Sequence, residues 1–208
     1  MLAGQRKIAS DGYEVMLFPF DEMYITQGET PAHGGTLCMD FVGWSPSTGQ
    51  INLYPYYAPC SCHCVAKGTN GDWVVFTSDN PVHIPQSPNI PVIVTWQQGH
   101  DNNPCNVGDT FTQGDLIGHT GTRGQVSGDH CHFNTVLGTY QGWDYTHTES
   151  QLKNSIHIYD CCYIDDTILY RDLGYPWITY GETPPTPTFP ERKKFPWYLI
   201  ASKKLHRM

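Results

Sequence analysis

The sequence predicts a mainly β domain with long loops, and three observations support this prediction. Its 208 residues include 20 Gly and 16 Pro, which separate short runs rich in Val, Ile, Thr and Tyr. Only 15% of the residues are charged, whereas helical bundles and coiled coils are rich in Ala, Glu, Lys and Leu. Aromatic residues make up 13% of the chain and supply material for a core. The length suits one domain, with or without an appendage.

The predicted strands follow one another through the first two thirds of the chain. In chain order they span residues 13–26 (as one or two strands), about 60–66, 73–77, 90–96 and 130–136. A Gly- and Asn-containing turn at 68–72 makes the second and third of these runs a hairpin. Pro91 is expected at the start of its strand or on a sheet edge. Residues 148–160 are the predicted short helix, because polar residues open the segment and spaced Leu and Ile follow.

The C-terminal end of the chain differs in composition from the rest. Residues 183–190 contain four prolines, which predicts a stiff, extended linker after a domain at 1–182. Residues 191–208 form a basic and aromatic tail with an apolar centre at 197–200. This pattern is typical of a peptide that docks into a partner protein or lies on an anionic surface. The alternative is a disordered terminus.

The charge pattern excludes several classes of function. The formal net charge is −8, so no general affinity for nucleic acid is expected. All 20 acidic residues precede Arg192, whereas six of the 12 basic residues lie at or after it. No run of 18 apolar residues predicts a transmembrane segment. The N-terminus lacks the apolar core of a secretory signal, so work outside the cell would depend on lysis or on delivery by a particle.

The eight cysteines are too sparse for a small domain built on disulfides. Cys60, Cys62 and Cys64 alternate along a predicted strand, and together with His63 they could bind a second, structural zinc ion. Structural zinc sites more often use cysteines two to four residues apart, so small buried hydrophobic side chains are the favoured interpretation.

Histidine and aspartate positions indicate a metal site. His33 and Asp40 lie seven positions apart, and His130 and His132 alternate on a predicted strand. Alternate residues of a strand face the same side with Cα atoms roughly 6.5–7 Å apart, so both imidazoles would enter one cleft. Two His and one Asp form a ligand set that leaves a fourth zinc position open. The alternative is a structural His-x-His pair and a carboxylate that caps a turn.

The residues around these side chains resemble a known enzyme family. The segments that carry the resemblance are 25–28 with His33 and Asp40, 57–59, the glycine-rich stretch 107–124, and Gly128 to Phe133 with its His-x-His-Phe strand. Together they resemble the lysostaphin/LytM-type M23 zinc endopeptidases over roughly residues 23–137. The resemblance implies an antiparallel-sheet domain of the LytM type. Such a domain has a groove across one sheet, with one catalytic Zn²⁺ at the bottom of the groove.

The resemblance also implies a role for each site residue. Zinc would bind to His33, Asp40 and His132, and His130 would act as a catalytic imidazole. A second catalytic histidine is expected at the end of an earlier strand, where His100 is the match and His83 the competitor. His119 is expected at the rim of the cleft rather than as a ligand.

Two departures from the family pattern bear on function. Six residues separate His33 from Asp40 where the family commonly has three, and this longer loop resembles the M23 domains of phage tail-tip proteins. Cys60-Ser61-Cys62 stands where the family usually has Asp-Gly, which affects the local hairpin rather than the metal.

The resemblance therefore implies a zinc-dependent endopeptidase that hydrolyses peptide cross-links of bacterial peptidoglycan. It would belong to a phage virion, bound to other tail proteins through residues 191–208. The alternative is a non-catalytic structural or wall-binding tail protein on the same fold. Pentaglycine bridges and D-alanyl cross-links both remain possible substrates.

Overall fold

The structure is a computed structural model that describes residues 4–33, 35–144 and 151–182. The predicted linker at 183–190 and the tail at 191–208 lie outside the described residues. Strands make up 45% of the structure and helices 4%, which confirms the predicted mainly β class. No helix in the described ranges has the length and apolar character needed to cross a membrane.

The described residues form seventeen strands. They are β1 Glu14–Val15, β2 Glu22–Gln27, β3 Cys38–Ser45, β4 Gly49–Ile51, β5 Pro55–Tyr57, β6 Cys62–Lys67, β7 Trp73–Ser78, β8 Val82–Ile84, β9 Ser87–Val92, β10 Val94–Gly99, β11 Thr110–Phe111, β12 Leu116–His119, β13 Cys131–Leu137, β14 Trp143–Asp144, β15 Gln151–Leu152, β16 Ser155–Ile156 and β17 Ile168–Arg171. A 3₁₀ turn covers Pro31–His33, and a four-residue helix α1 covers Ile158–Cys161.

One large sheet organises the domain. Its strand order is β11-β6-β7-β10-β13-β3-β2-β17, with β16 added beside β13 and β4 beside β3. Neighbouring strands are antiparallel except β17, which runs parallel to β2. Three small sheets, β1-β8-β9, β12-β5 and β14-β15, complete the described part of the chain. The predicted antiparallel architecture is confirmed.

The main hydrophobic cluster lies on one face of this sheet, and the alternation along β3 and β13 directs polar side chains to the other face. Met39 and Phe41 of β3 and Cys131 and Phe133 of β13 are fully buried in the main hydrophobic cluster. Because successive residues of a strand point to opposite faces, the residues between them, at positions 40 and 132, face away from this core. The packing of four apolar side chains therefore sets the direction of two polar ones.

The strand predictions are largely confirmed, with one change near Pro91. The predicted strand at 90–96 is in fact two strands, β9 and β10, which belong to different sheets. Pro91 lies in β9, which is the edge strand of the described sheet β1-β8-β9, so the expected edge position is confirmed. The amide that proline lacks is not needed on the open side of an edge strand.

The helix prediction for residues 148–160 is wrong for most of its described length. Residues 145–150 lie outside the described residues, whereas β15 and β16 occupy most of 151–156. Ile156 pairs with Thr135 of β13, so pairing with a sheet outweighs local helical spacing. Within the described part of the predicted helix, only the residues of α1 are helical. No side chain caps the N-terminus of α1 at His157.

The cysteines behave as small apolar side chains. All eight are free thiols, and all except the half-buried Cys105 are buried. Cys60, Cys62 and Cys64 lie in the main core cluster, as the favoured interpretation predicted. Among the described residues, the side chains that lie close enough together to hold a metal ion do not include any of these thiols.

Candidate metal centre

The register of β3 and β13 brings Asp40 and His132 together. The two residues are directly opposite each other in the antiparallel pair, on the face away from the core. His132 Nδ1 lies 3.0 Å from Asp40 Oδ1, and both side chains are buried. A carboxylate and an imidazole 92 positions apart in sequence thus become neighbours through sheet pairing.

The loop between β2 and β3 supplies the third side chain. His33 ends the 3₁₀ turn, its Nδ1 donates a hydrogen bond to the Gly28 carbonyl at 3.1 Å, and its Nε2 lies 3.5 Å from Asp40 Oδ1. Since a carbonyl can only accept, the proton is on Nδ1 and the lone pair of the neutral ring is on Nε2. The ring therefore presents a ligand nitrogen toward Asp40.

The three side chains fit a zinc ion. His33, Asp40 and His132 each offer one ligand atom, and these three atoms all lie within 4.8 Å of one another. Tetrahedral ligands at 2.0–2.1 Å from zinc are about 3.3 Å apart, close to the 3.0 and 3.5 Å seen here. Two nitrogens and one carboxylate oxygen are the donor set of a zinc site that keeps an open position.

The electrostatics of the centre favour a cation. Burial alone would raise the pKa of the Asp40 carboxyl, but the hydrogen bond from His132 and the charges of nearby imidazoles lower it below its usual value. Burial alone would lower the pKa of His132, yet the Cys38 sulfur and the Asp40 carboxylate raise it to about 10. The raised pKa of His132 indicates a negative electrostatic potential at this ring, and such a potential also favours the binding of a metal cation.

His130 lies at the open side of this centre. Its Nε2 is 3.7 Å from Asp40 Oδ2, and its Nδ1 donates to the Gly128 carbonyl at 2.9 Å. Two backbone hydrogen bonds with Gly121 hold the residue directly before β13. The lone pair of its neutral ring therefore belongs to Nε2, the nitrogen nearer to Asp40.

His100 joins the cluster at the end of β10, as expected. Its ring centroid is 4.5 Å from that of His130 and 6.2 Å from that of His132. Its Nδ1 donates to the Arg123 carbonyl at 2.8 Å, and its φ of 73° is a strained value for a non-glycine residue. Burial and the neighbouring His130 lower the pKa of His100 to about 4, so it stays neutral at neutral pH.

The other histidines have different partners. His83 lies in β8 of the small sheet, where its Nε2 bonds to Asp11 at 2.8 Å. His119 ends β12, half-buried, and its backbone amide donates to Asp101. The structure therefore brings His33, Asp40, His100, His130 and His132 together and places His83 elsewhere.

Sequence reasoning missed Trp73. Its ring centroid is 4.8 Å from both His100 and His132, and it borders a cavity of about 250 Å³. Lys67, Asp72 and Trp143 are also among the residues that line this cavity. The only signal in the sequence was the position of Trp73 just after a turn, at the start of β7. Its approach to β10 depends on sheet pairing.

Zinc is expected to bind more tightly as the pH rises. In the metal-free protein the raised pKa of His132, about 10, keeps this ring protonated at neutral pH, whereas zinc binds neutral imidazole. Each pH unit between 6 and 8 should therefore strengthen binding about tenfold, with release of about one proton. Competition with a chelator of known pH dependence measures this slope. An affinity that is constant or falls with rising pH would contradict the assignment.

The amino-acid sequence is similar to that of a known phage protein. The chain matches no protein-family profile. It is 38% identical over 174 residues to Morphogenesis protein 1 of Bacillus phage B103, a match that covers 82% of this chain and 46% of the relative. The chain thus spans about half the length of that curated relative.

Several solved structures are also similar. A zinc-containing peptidase from Vibrio cholerae is 17% identical with a TM-score of 0.42, covering 64% of this chain and 43% of that one. The solution structure of lysostaphin is 17% identical with a TM-score of 0.40, covering 61% and 47%. A putative M23 peptidase from Pseudomonas aeruginosa is 20% identical with a TM-score of 0.37, covering 66% and 49%.

Proposed function

We propose that this protein is a zinc-dependent endopeptidase that hydrolyses peptide cross-links of bacterial peptidoglycan. The observation that carries the proposal is the convergence of His33, Asp40 and His132 in zinc-ligand geometry, with two further imidazoles beside them. Three ligands suffice for a catalytic zinc, whereas structural zinc sites usually have four protein ligands. The further imidazoles supply acid–base groups that a purely structural ion does not need.

In the proposed reaction, the chemical roles are shared between the metal ion and two histidines. Zinc, when bound, polarises the substrate carbonyl and acidifies a water molecule. His130 can accept the proton of the attacking water at Nε2, because its Nδ1–H is already bonded to the Gly128 carbonyl. The resulting imidazolium can stabilise developing negative charge and then return the proton to the leaving amine.

His100 supports His130 in this scheme. Because its pKa is lowered to about 4, it stays neutral while its neighbour gains a proton. Its Nδ1–H is bonded to the Arg123 carbonyl, so its Nε2 is an acceptor that can orient water. In this scheme His130 is the proton acceptor and His100 orients the water.

We also propose that the protein belongs to a phage virion and acts at the cell wall from the tail. A relative from Bacillus phage B103 supports a phage source, and that relative is named for morphogenesis. In this proposal residues 1–182 form the catalytic domain, 183–190 the linker, and 191–208 the segment that binds other tail proteins. An acidic domain is not held to an anionic wall by its own charge, which favours placement by the tail.

The proposed activity is tested by digestion of purified peptidoglycan with and without a metal chelator. We expect untreated protein to release new amino groups, the chelated protein to release none, and added zinc to restore release. Walls of known bridge chemistry, followed by mass spectrometry of the new termini, identify the bond. A non-catalytic wall-binding protein would bind the same walls and release nothing under any condition.

Gly121→Ala is expected to damage catalysis without removing zinc. A Cβ at position 121 would lie 2.2 Å from the carbonyl oxygen of His100 and 2.9 Å from the amide of Asn102, and backbone atoms cannot move aside cheaply. A displacement of His100 by about 1 Å should lower hydrolysis about a hundredfold. The matched control is Gly128→Ala, which keeps the backbone carbonyl that His130 bonds to and whose Cβ would meet no atom within 4 Å. Equal activity of the two variants would contradict the expectation.

A further inference from the structure

A cluster of polar side chains lies behind the loop that carries His33. Glu29 has a side chain only 5% exposed, and its Oε2 accepts a hydrogen bond from His157 Nδ1 at 2.5 Å. The backbone amide of Glu29 donates to the Tyr175 hydroxyl at 2.8 Å. Glu29, His157 and Tyr175 are here called the loop clamp. None of them belongs to the group of His33, Asp40 and His132.

The loop clamp reaches His33 through Gly28. The carbonyl of Gly28 accepts the Nδ1–H of His33 and so determines which ring nitrogen faces Asp40. On its other side Gly28 is pressed against the clamp, because an added Cβ would lie 2.5 Å from the Tyr175 hydroxyl oxygen. The Glu29 amide, which donates a hydrogen bond to the Tyr175 hydroxyl, belongs to the same peptide unit as the Gly28 carbonyl. A hydrogen bond at one end of this peptide therefore orients the acceptor at the other end.

The clamp is anchored to both sides of the metal centre. His157 directly follows β16, which pairs with β13, the strand that carries His132. Tyr175 follows β17, which pairs with β2, the strand that leads into the His33 loop. Tyr159 stacks on both clamp rings, at 4.7 Å from His157 and 5.5 Å from Tyr175. Residues after the β13 strand thus connect the two chain segments that supply the histidine ligands.

We infer that Glu29, His157 and Tyr175 are positioning residues that hold the Gly28 peptide, and through it His33, in the geometry for zinc binding. The inference rests on the proposed metal centre. It assigns to that centre Glu29 together with His157 and Tyr175, which lie beyond the range of residues that resembles the M23 family. Groups that orient a ligand imidazole through its second nitrogen typically change metal affinity 10–100-fold when they are removed.

The test is the zinc affinity of the full chain and its variants, measured by competition with a chromogenic chelator. Tyr175→Phe removes only the hydroxyl that accepts the Glu29 amide, and about tenfold weaker zinc binding is expected. Glu29→Ala should have a similar effect, and Glu29→Gln should restore most of the affinity, because its amide oxygen can accept the same bond from His157. The matched control is Tyr170→Phe on β17, which removes a hydroxyl that donates to Glu22 of β2. This variant should change zinc affinity less than twofold.

Two further readouts separate positioning from simple destabilisation. Melting of the metal-free variants shows whether they fold, and a structural role alone would lower the melting temperature without changing the zinc affinity of folded protein. If Glu29→Ala does not fold, the nearly isosteric Tyr175→Phe decides. Wild-type zinc affinity in folded Tyr175→Phe would overturn the inference. Zinc affinity is measured without substrate, so a wild-type protein that binds zinc but cuts nothing would refute the proposed reaction and leave this inference standing.

Discussion

Replacing His132 with alanine is expected to abolish zinc binding and peptide hydrolysis together. His132 Nδ1 is one of the three proposed ligand atoms, and its partner Asp40 lies opposite it in the sheet at 3.0 Å. Two remaining ligands do not make a stable zinc site. Bound zinc lowers the pKa of water from 15.7 to about 7, so loss of the ion should reduce hydrolysis by roughly three orders of magnitude or more.

Metal analysis and release of amino groups from peptidoglycan measure the two effects in the same His132→Ala sample. The matched control is His63→Ala, because His63 is a strand histidine that bonds to Asp79 and takes no part in the centre. It should keep both zinc and activity within about twofold of wild type. A His132→Ala variant with its full complement of zinc would overturn the ligand assignment.

Replacing His130 with alanine is expected to separate the two properties, with zinc retained and hydrolysis lost. His130 Nε2 lies 3.7 Å from the second oxygen of Asp40, and His130 does not belong to the three-residue ligand group. Removal of a general base typically costs 10²–10⁴-fold in rate, so we expect a loss of that size in kcat.

Zinc content and kcat of His130→Ala, measured beside His132→Ala, distinguish a catalytic role from a ligand role. Digestion at the wild-type rate would refute the role given to His130. Loss of zinc from this variant would show that His130 is a ligand instead, and the mechanism would need a different base.

Much of the fold could be predicted because most strands have a clear signal in their local sequence. The runs that became β6, β7 and β13 are bounded by turn residues, and their β-branched and aromatic content suits a half-buried sheet. The wrong helix at 148–160 shows the limit of local patterns. Ile156 has helical spacing with its neighbours, yet its pairing with Thr135 belongs to a strand that begins 25 positions earlier.

The candidate site could be predicted in part for a similar reason. His130 and His132 are neighbours in sequence, so strand alternation alone places both in one cleft. The contact of Asp40 with His132 depends on the register of two distant strands, which only the resemblance to a family could indicate. Trp73 and the Glu29–His157 pair have no local signal, since their places depend on tertiary packing.

The central claim is that this metal centre cuts peptide bonds of the cell wall. The most direct test digests purified peptidoglycan with zinc-loaded protein and counts both new amino groups and new reducing sugar ends. We expect amino groups to accumulate with time, to disappear with chelator, and to be accompanied by no new reducing ends. New reducing ends, or no amino groups from any wall despite bound zinc, would contradict the account.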